Sequence, residues 1–240
     1  SGHLSALGLS NAKLALSAAR LARARQALDA LTGERLRALA NLNGGIYAAL
    51  DRTAWAAEMP EMRVRMLARL LDMFGGLARP AQLSQVEALE AVLAEGRPLA
   101  QTLGGCMVSQ GWTTIRVYRE AGRQELGAAR LEPGREIVWD RRFRVCYLPP
   151  EETGEDGDDE DRAEASAVTV RPLGLATYAT LKEGIPARER PPARAAETLP
   201  AIWSGDTLLA VPPLAGAPTG EGRFSATFLA LENPAEGRDT

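Results

Sequence analysis

Near residue 98 the chain changes its hydrophobic period, and this limits the folds open to it more than any other feature. Before that point apolar residues recur at three- and four-residue steps. After it they alternate: Ile115, Val117 and Arg119 interleave with Arg116, Tyr118 and Glu120. The first period belongs to helices with one buried face and the second to half-buried strands. The expected class is therefore α+β, an N-terminal helical block followed by a small mixed α/β C-terminal domain with antiparallel strands. Composition supports the division, because Ala and Leu dominate the first half and aromatic residues are only 5% of the whole.

Within the helical block, Ser10 is a suitable N-cap for a helix over Asn11–Leu31. Leu14, Ala18, Leu21 and Leu28 fall on one face, with Arg25 on the same apolar side. Gly33 is expected to end this helix. A second runs over Glu34–Leu42, closed by Asn43-Gly44-Gly45, and Ile46–Leu50 is too short to assign. Pro60 fits a first helical turn. Met62, Met66, Leu70 and Phe74 then make a core stripe, with Arg65 and Arg69 to one side and Gly75-Gly76 as the stop. A further helix spans Gln82–Ala94, with Leu83, Val86, Glu90 and Leu93 in register.

Beyond the change of period, strand-like sequence fills Gln101–Glu120, where Gly104-Gly105 marks a bulge or a close backbone approach and Gln110-Gly111 a hairpin turn. Glu136–Leu148 is a second strand block, Val168–Arg171 a short strand and Ala176–Glu183 a short helix. Leu199–Val211 reads as a hairpin and Phe224–Leu229 as a last strand. The expected organisation is a helical unit over 1–97, a β-rich segment over 98–148, an acidic flexible loop over 149–167, the rest of the α+β domain over 168–232 and a tail over 233–240.

Charge is unevenly spread. The formal net charge is −3, yet residues 1–150 carry 20 Lys+Arg against 14 Asp+Glu, and residues 151–240 carry 8 against 17. Nine of those acids crowd into 151–164 beside a single Arg. Attraction to phosphate depends on local potential, so the net value does not exclude nucleic acid. The acidic run lacks the spacing, central Gly and flanking helices of an EF-hand.

Catalytic patterns are missing. The one histidine is His3, which argues against His-dependent acid–base chemistry. Neither G-x-x-x-x-G-K-[ST], G-x-G-x-x-G nor G-x-S-x-G occurs. Cys106 and Cys146 lie outside any C-x-x-C pair, so two buried free thiols are expected, with a disulfide left open, and a structural metal is not. No run of about 20 apolar residues is present for a membrane span.

Three patches carry a resemblance. The first is Gly8-Leu9-Ser10-Asn11-Ala12-Lys13-Leu14 leading into an Ala/Arg-rich helix. The second is Arg65-Met66-Leu67-Ala68-Arg69-Leu70-Leu71, then Gly75-Gly76, Thr102-Leu103-Gly104-Gly105-Cys106 and Tyr118-Arg119-Glu120. The third is Trp139-Asp140-Arg141-Arg142-Phe143, followed by Leu199-Pro200-Ala201-Ile202-Trp203 and Leu209-Ala210-Val211-Pro212. In this order they resemble the tRNA(Ile)-lysidine synthetases after their catalytic domain: an R-x-L-A-R-L-L helix, a T-L-G-G-C strand, a W-D-x-R-F element and a P-x-L-W hairpin, with Ile202 in place of the Leu.

The resemblance implies a role in holding tRNA(Ile) while ATP adenylates the wobble cytidine and lysine displaces AMP. In the family that chemistry, with its ATP and Mg, belongs to an N-terminal PP-loop domain marked Ser-Gly-Gly-x-Asp-Ser. This signature does not occur in the 240 residues, so no catalytic or cofactor-binding residue is carried over. The first methionine is Met59, and the chain is expected to be a piece whose natural start lies upstream. RNA shape is read by Arg and Lys on phosphates and 2′-hydroxyls. The candidate contacts are Arg65, Arg69, Arg79, Arg119, Arg141, Arg142, Arg188 and Arg190. A cytoplasmic location and no membrane partner go with this reading, and a homodimer is left open. The alternatives are a protein-interaction module, favoured if those arginines scatter or are consumed by Glu61, Glu87, Glu120 and Asp140, and a hydrolase built on dispersed carboxylates.

Overall fold

The computed structural model describes residues 11–122, 126–148 and 168–232. The acidic run, the tail, His3 and the Ser10 cap all lie outside these residues.

Helix α1 (Asn11–Leu39) is continuous through Gly33, where a stop was expected. The reason is tertiary. A Cβ at Gly33 would lie 3.3 Å from a guanidinium nitrogen of Arg69, so the bare backbone makes room for a side chain of a neighbouring helix. Packing thus overrides the local tendency of glycine to end a helix. The expected apolar face of α1 is not covered: Leu21 is 71% exposed and Leu14 is exposed too, and burial begins only at Thr32 and Leu36.

After α1 the chain forms a short antiparallel pair, β1 (Ala40–Asn41) and β2 (Ala48–Asp51). The unassigned Ile46–Leu50 segment therefore contributes a strand, and an interior one. Three helices follow: α2 (Arg52–Ala56), capped by the Asp51 carboxylate on the Ala54 N–H, α3 (Pro60–Gly75) and α4 (Leu83–Ala94). β3 (Leu99–Leu103), β4 (Cys106–Gln110) and β5 (Thr114–Arg119) complete a five-stranded antiparallel sheet in the order β1-β2-β5-β4-β3. This sheet draws strands from both sides of residue 97, because β2 pairs with β5 through Ala48↔Val117 and Leu50↔Ile115.

Strict alternation turns Cys106, Val108, Ile115 and Val117 to the buried face. There Met66, Leu67, Leu70, Leu71 and Phe74 of α3, with Val86, Leu89 and Leu93 of α4, join them in one core. The Met stripe is core, as its spacing predicts. On α4, Val86, Glu90 and Leu93 are buried, whereas Leu83, expected on the same face, is exposed at the helix start.

The second half contains two smaller antiparallel sheets. One is β11-β10-β9-β6, from β6 (Ala129–Arg130), β9 (Val168–Pro172), β10 (Pro200–Ser204) and β11 (Thr207–Ala210), with α5 (Leu175–Leu181) and α6 (Ala193–Ala196) between β9 and β10 in sequence. The other is β12-β8-β7, from β7 (Glu136–Trp139), β8 (Phe143–Tyr147) and β12 (Phe224–Phe228). A last short helix, α7, covers Leu229–Glu232. The hairpin expected over Leu199–Val211 and the strand expected from Phe224 are both present.

Phe228 joins the halves. Its ring lies 5.0 Å from that of Phe74 on α3 and 5.5 Å from that of Phe143 on β8. The same ring packs on Gly45, whose φ is +83° and where a Cβ would sit 2.3 Å from it. Phe228→Ala should therefore cost about 3–5 kcal/mol, read as a lower midpoint in urea. Leu21→Ala, on the exposed stretch of α1, should stay within about 0.5 kcal/mol of wild type.

Candidate nucleic-acid interface

Two of the eight candidate arginines lie in the interior. Arg119 ends β5, and Arg142 follows the turn between β7 and β8; their side chains are 5% and 0% exposed. Both bind Asp140, itself 8% exposed: Arg119 Nε at 3.1 Å and Arg142 Nε at 2.7 Å, on the same carboxylate oxygen. Arg119 also donates to the carbonyls of Gly105 and Glu120, and Arg142 to that of Thr198 at 2.7 Å. Arg142 Nη1 is buried with no hydrogen-bond partner, and burial lowers the pKa of this guanidinium against the pull of Asp140. These two residues link the sheets and are almost wholly buried, so the expectation that they touch RNA is corrected: they are framework residues. Sequence reading missed this because an exposed and a buried Arg look alike until the partner is placed.

The backbone around the pair is correspondingly tight. Gly76 caps α3 at φ +63°, and a Cβ there would sit 2.8 Å from both the carbonyl and the carboxylate of Asp140. Gly75 lies against Gly104, where a Cβ would come within 2.0 Å of the carbonyl oxygen. The close approach expected at Gly104-Gly105 is thus to the end of α3. Asp140 and Arg141 both take positive φ, +47° and +56°, in a turn closed by the Arg142 N–H donating to the Trp139 carbonyl. Such a turn favours Asn, Asp or Gly, so Arg141 is held there by its surroundings.

The other candidates are at least partly accessible. Arg65 of α3 bonds Glu61 at 2.6 Å and Asp29 of α1 at 2.8 Å. Exposed pairs of this kind contribute little and exchange readily for another anion. Arg69 lies one turn further along α3. Its guanidinium converges with that of Arg37 on Gly33, where both come within 4 Å of the same point. Arg37, which the sequence reading did not select, is exposed. The α1–α3 junction therefore gathers Arg37, Arg65 and Arg69. Arg79 is exposed between α3 and α4, and Arg141 at the tip of its turn. Arg188 pairs with Glu189, and Arg190 Nε donates to the Ile185 carbonyl.

A second basic grouping lies on the outer face of the large sheet. Burial raises the pKa of Tyr118, opposed by the positive charges of Arg194 and Arg116. Arg116 pairs across the sheet with Ser109 and Ala49, and Arg194 comes from α6 with Glu197 at 3.5 Å. No periodic signal marks Arg194; only the fold brings it beside β5.

Among the described residues, neither of two surface clefts brings acids together. One of about 520 Å³, lined by Arg119, Trp139 and Asp140 among others, holds a single carboxylate, already salt-bridged. A second, of about 360 Å³, holds Glu120 alone. Among the described residues, no group of three His, Cys, Asp or Glu side chains is placed to hold a metal ion. Nor, among them, is any helix long and apolar enough to cross a membrane.

The architecture is thus a helix-covered antiparallel sheet locked by buried charge to a smaller α+β part, with basic residues gathered on its surface. No family model matches the chain. Curated relatives do. It is 29% identical over 217 residues to the tRNA(Ile)-lysidine synthase of Ruegeria pomeroyi, covering 90% of this chain and 46% of that one. Over 99 residues it is 29% identical to the tRNA(Ile)-lysidine synthase of Rickettsia bellii, 41% of this chain and 23% of that one. Over 107 residues it is 26% identical to that of Rickettsia conorii. The chain is similar to a C-terminal-type region of the tRNA(Ile)-lysidine synthase family, and it spans between about a quarter and about a half of the length of these relatives.

Two outcomes follow from the buried cluster. Asp140→Ala leaves two enclosed guanidiniums unpaired and should cost about 3–5 kcal/mol in a denaturant titration; a loss below about 1 kcal/mol would show the charges rehydrate. Beside it, burial pushes the Cys106 thiol from 9.0 up to about 12. A folded pKa above the unfolded one stabilises fully below pH 9 and is lost as pH rises through about 12. At pH 8 a thiol reagent should modify the partly exposed Cys146 and reach Cys106 only after unfolding.

Proposed function

We propose that this chain is the tRNA-binding portion of a tRNA(Ile)-lysidine synthase, positioning tRNA(Ile) for ATP-dependent ligation of lysine to the wobble cytidine. The observation that carries the reading is the similarity to one such synthase along 90% of the chain. Surface arginines support it. Arg37, Arg65 and Arg69 gather where α1 crosses α3, and Arg116 and Arg194 flank Tyr118. Guanidinium groups on a rigid helix and sheet suit an RNA backbone, whose phosphates they neutralise and whose shape they register. Arg79, Arg141, Arg188 and Arg190 extend the candidate contacts. Adenylation and lysine transfer, with their ATP and Mg, are assigned to no residue here, and a cytoplasmic location follows from the substrate.

The protein-interaction alternative draws on one fact, that Asp140 and Glu61 engage Arg119, Arg142 and Arg65. Filter binding with tRNA(Ile) across a salt series separates the two. The expected result is weak binding that falls steeply with salt, without ATP turnover. Arg37→Ala and Arg69→Ala should each weaken binding and reduce the salt slope by about 1. No binding at low ionic strength, or binding indifferent to salt, would overturn the proposal.

A further inference from the structure

Three of the four tryptophans are buried: Trp55 at 2%, Trp139 at 3% and Trp203 at 8% exposure. Trp112 is 74% exposed, at the turn between β4 and β5. A large apolar ring gains nothing from folding when it is left in water. Fraying does not explain its position, because the turn is pinned from several directions. Gly111 N–H donates to the Thr114 carbonyl at 2.9 Å, and Arg52 N–H to the Thr113 carbonyl at 2.8 Å. Arg52 Nε donates to the carbonyl of Trp112 itself at 2.7 Å. The same Arg52 guanidinium reaches Gly96, where a Cβ would lie 2.6 Å from Nη1, and so braces the hairpin against the end of α4. Gln110 completes the brace from its buried amide, which donates to the carbonyls of Leu93 and Arg97.

The groups bonded to or braced against this turn include Arg52, Gly96, Thr113 and Thr114, with Leu93, Arg97 and Leu99 reached through Gln110. A protein-binding hot spot centres on an aromatic anchor within a desolvated apolar setting. Here the ring is 74% exposed, and the side chain that braces its turn is the guanidinium of Arg52. Arg97 is exposed and pairs with the exposed Glu95, and Arg116 projects from β5 two residues beyond Thr114. Asp51, which pairs with Thr114 across the sheet, caps α2. This combination matches the chemistry that holds an unpaired base, a π-face to stack on with cations nearby for its phosphate.

We propose that Trp112 is a stacking platform for an unpaired nucleotide of the bound RNA, with Arg52 fixing the turn and Arg97 and Arg116 meeting the adjacent phosphates. The assignment rests on the RNA-binding reading above and deepens it, because it separates a base contact from the phosphate contacts at the α1–α3 junction.

The test uses the 240-residue protein, tRNA(Ile), a short single-stranded oligoribonucleotide and a blunt RNA duplex. Because the other tryptophans are enclosed, a change in solvent-exposed emission reports on Trp112. Both tRNA(Ile) and the single-stranded oligomer are expected to quench it saturably, and the duplex to leave it unchanged. Trp112→Ala should weaken tRNA binding roughly tenfold with the salt slope unaltered, and Trp112→Phe should retain most of the affinity. Circular dichroism checks that both variants fold. Salt-dependent tRNA binding with unchanged emission, and with Trp112→Ala binding like wild type, would sink the platform while sparing the broader proposal. Absence of any tRNA binding would sink both.

Discussion

One carboxylate holds two guanidiniums at the centre of this protein. Asp140 bonds Arg119 from the large sheet and Arg142 from the turn between β7 and β8, and Arg142 continues to the carbonyl of Thr198, just before β10. A single contact set thus joins all three sheets. Two cations on one anion leave the interior with a net positive charge, and desolvating such groups costs several kcal/mol per ion before any attraction is counted. The carbonyls of Gly105, Glu120 and Thr198 offset part of that cost by accepting further N–H groups, while Arg142 Nη1 is left without a partner. Such a cluster stabilises less than an apolar core of equal volume would, but it tolerates few other arrangements, because each donor must meet its acceptor.

Several of the sequence patches that carry the family resemblance converge here. The helix containing Arg65 and Arg69 ends at Gly75-Gly76; the Thr102–Cys106 segment supplies Gly104-Gly105; Tyr118-Arg119-Glu120 and Trp139–Phe143 supply the charges; and Leu199–Trp203 begins next to Thr198. Their glycines are needed because backbone meets backbone: Gly75 packs on Gly104, and Gly76 on Asp140. These patches build the framework, and the function proposed for the chain depends on what that framework presents outward.

Outward-facing arginines differ from inner ones in partner as well as exposure. Arg65 is held by Glu61 and Asp29 at the surface, where water and ions compete for both sides of the pair. Arg119 and Arg142 have carbonyl and carboxylate partners that are largely enclosed. One residue type therefore serves two purposes, and burial decides which. Trp112 makes the same point for aromatics: three indoles fill the interior while the fourth stands in water on a braced turn.

The amino-acid order alone determined the α+β class, the Met62–Phe74 core stripe, the strands around Ile115, Val145 and Ile202, and the close backbone approach at Gly104-Gly105. Each of these is a local pattern whose period or dihedral requirement can be read without knowing what lies opposite. Only the tertiary structure decided that α1 continues through Gly33, that residues 48–51 form an interior strand, that Arg142 is core and Arg37 surface, and that Arg194 stands beside Tyr118. Those outcomes depend on partners far away in sequence: Arg69 for Gly33, β5 for Ala48, Asp140 for Arg142. A side chain's charge is written in the chain, but whether it faces water or a carboxylate is a property of the packing.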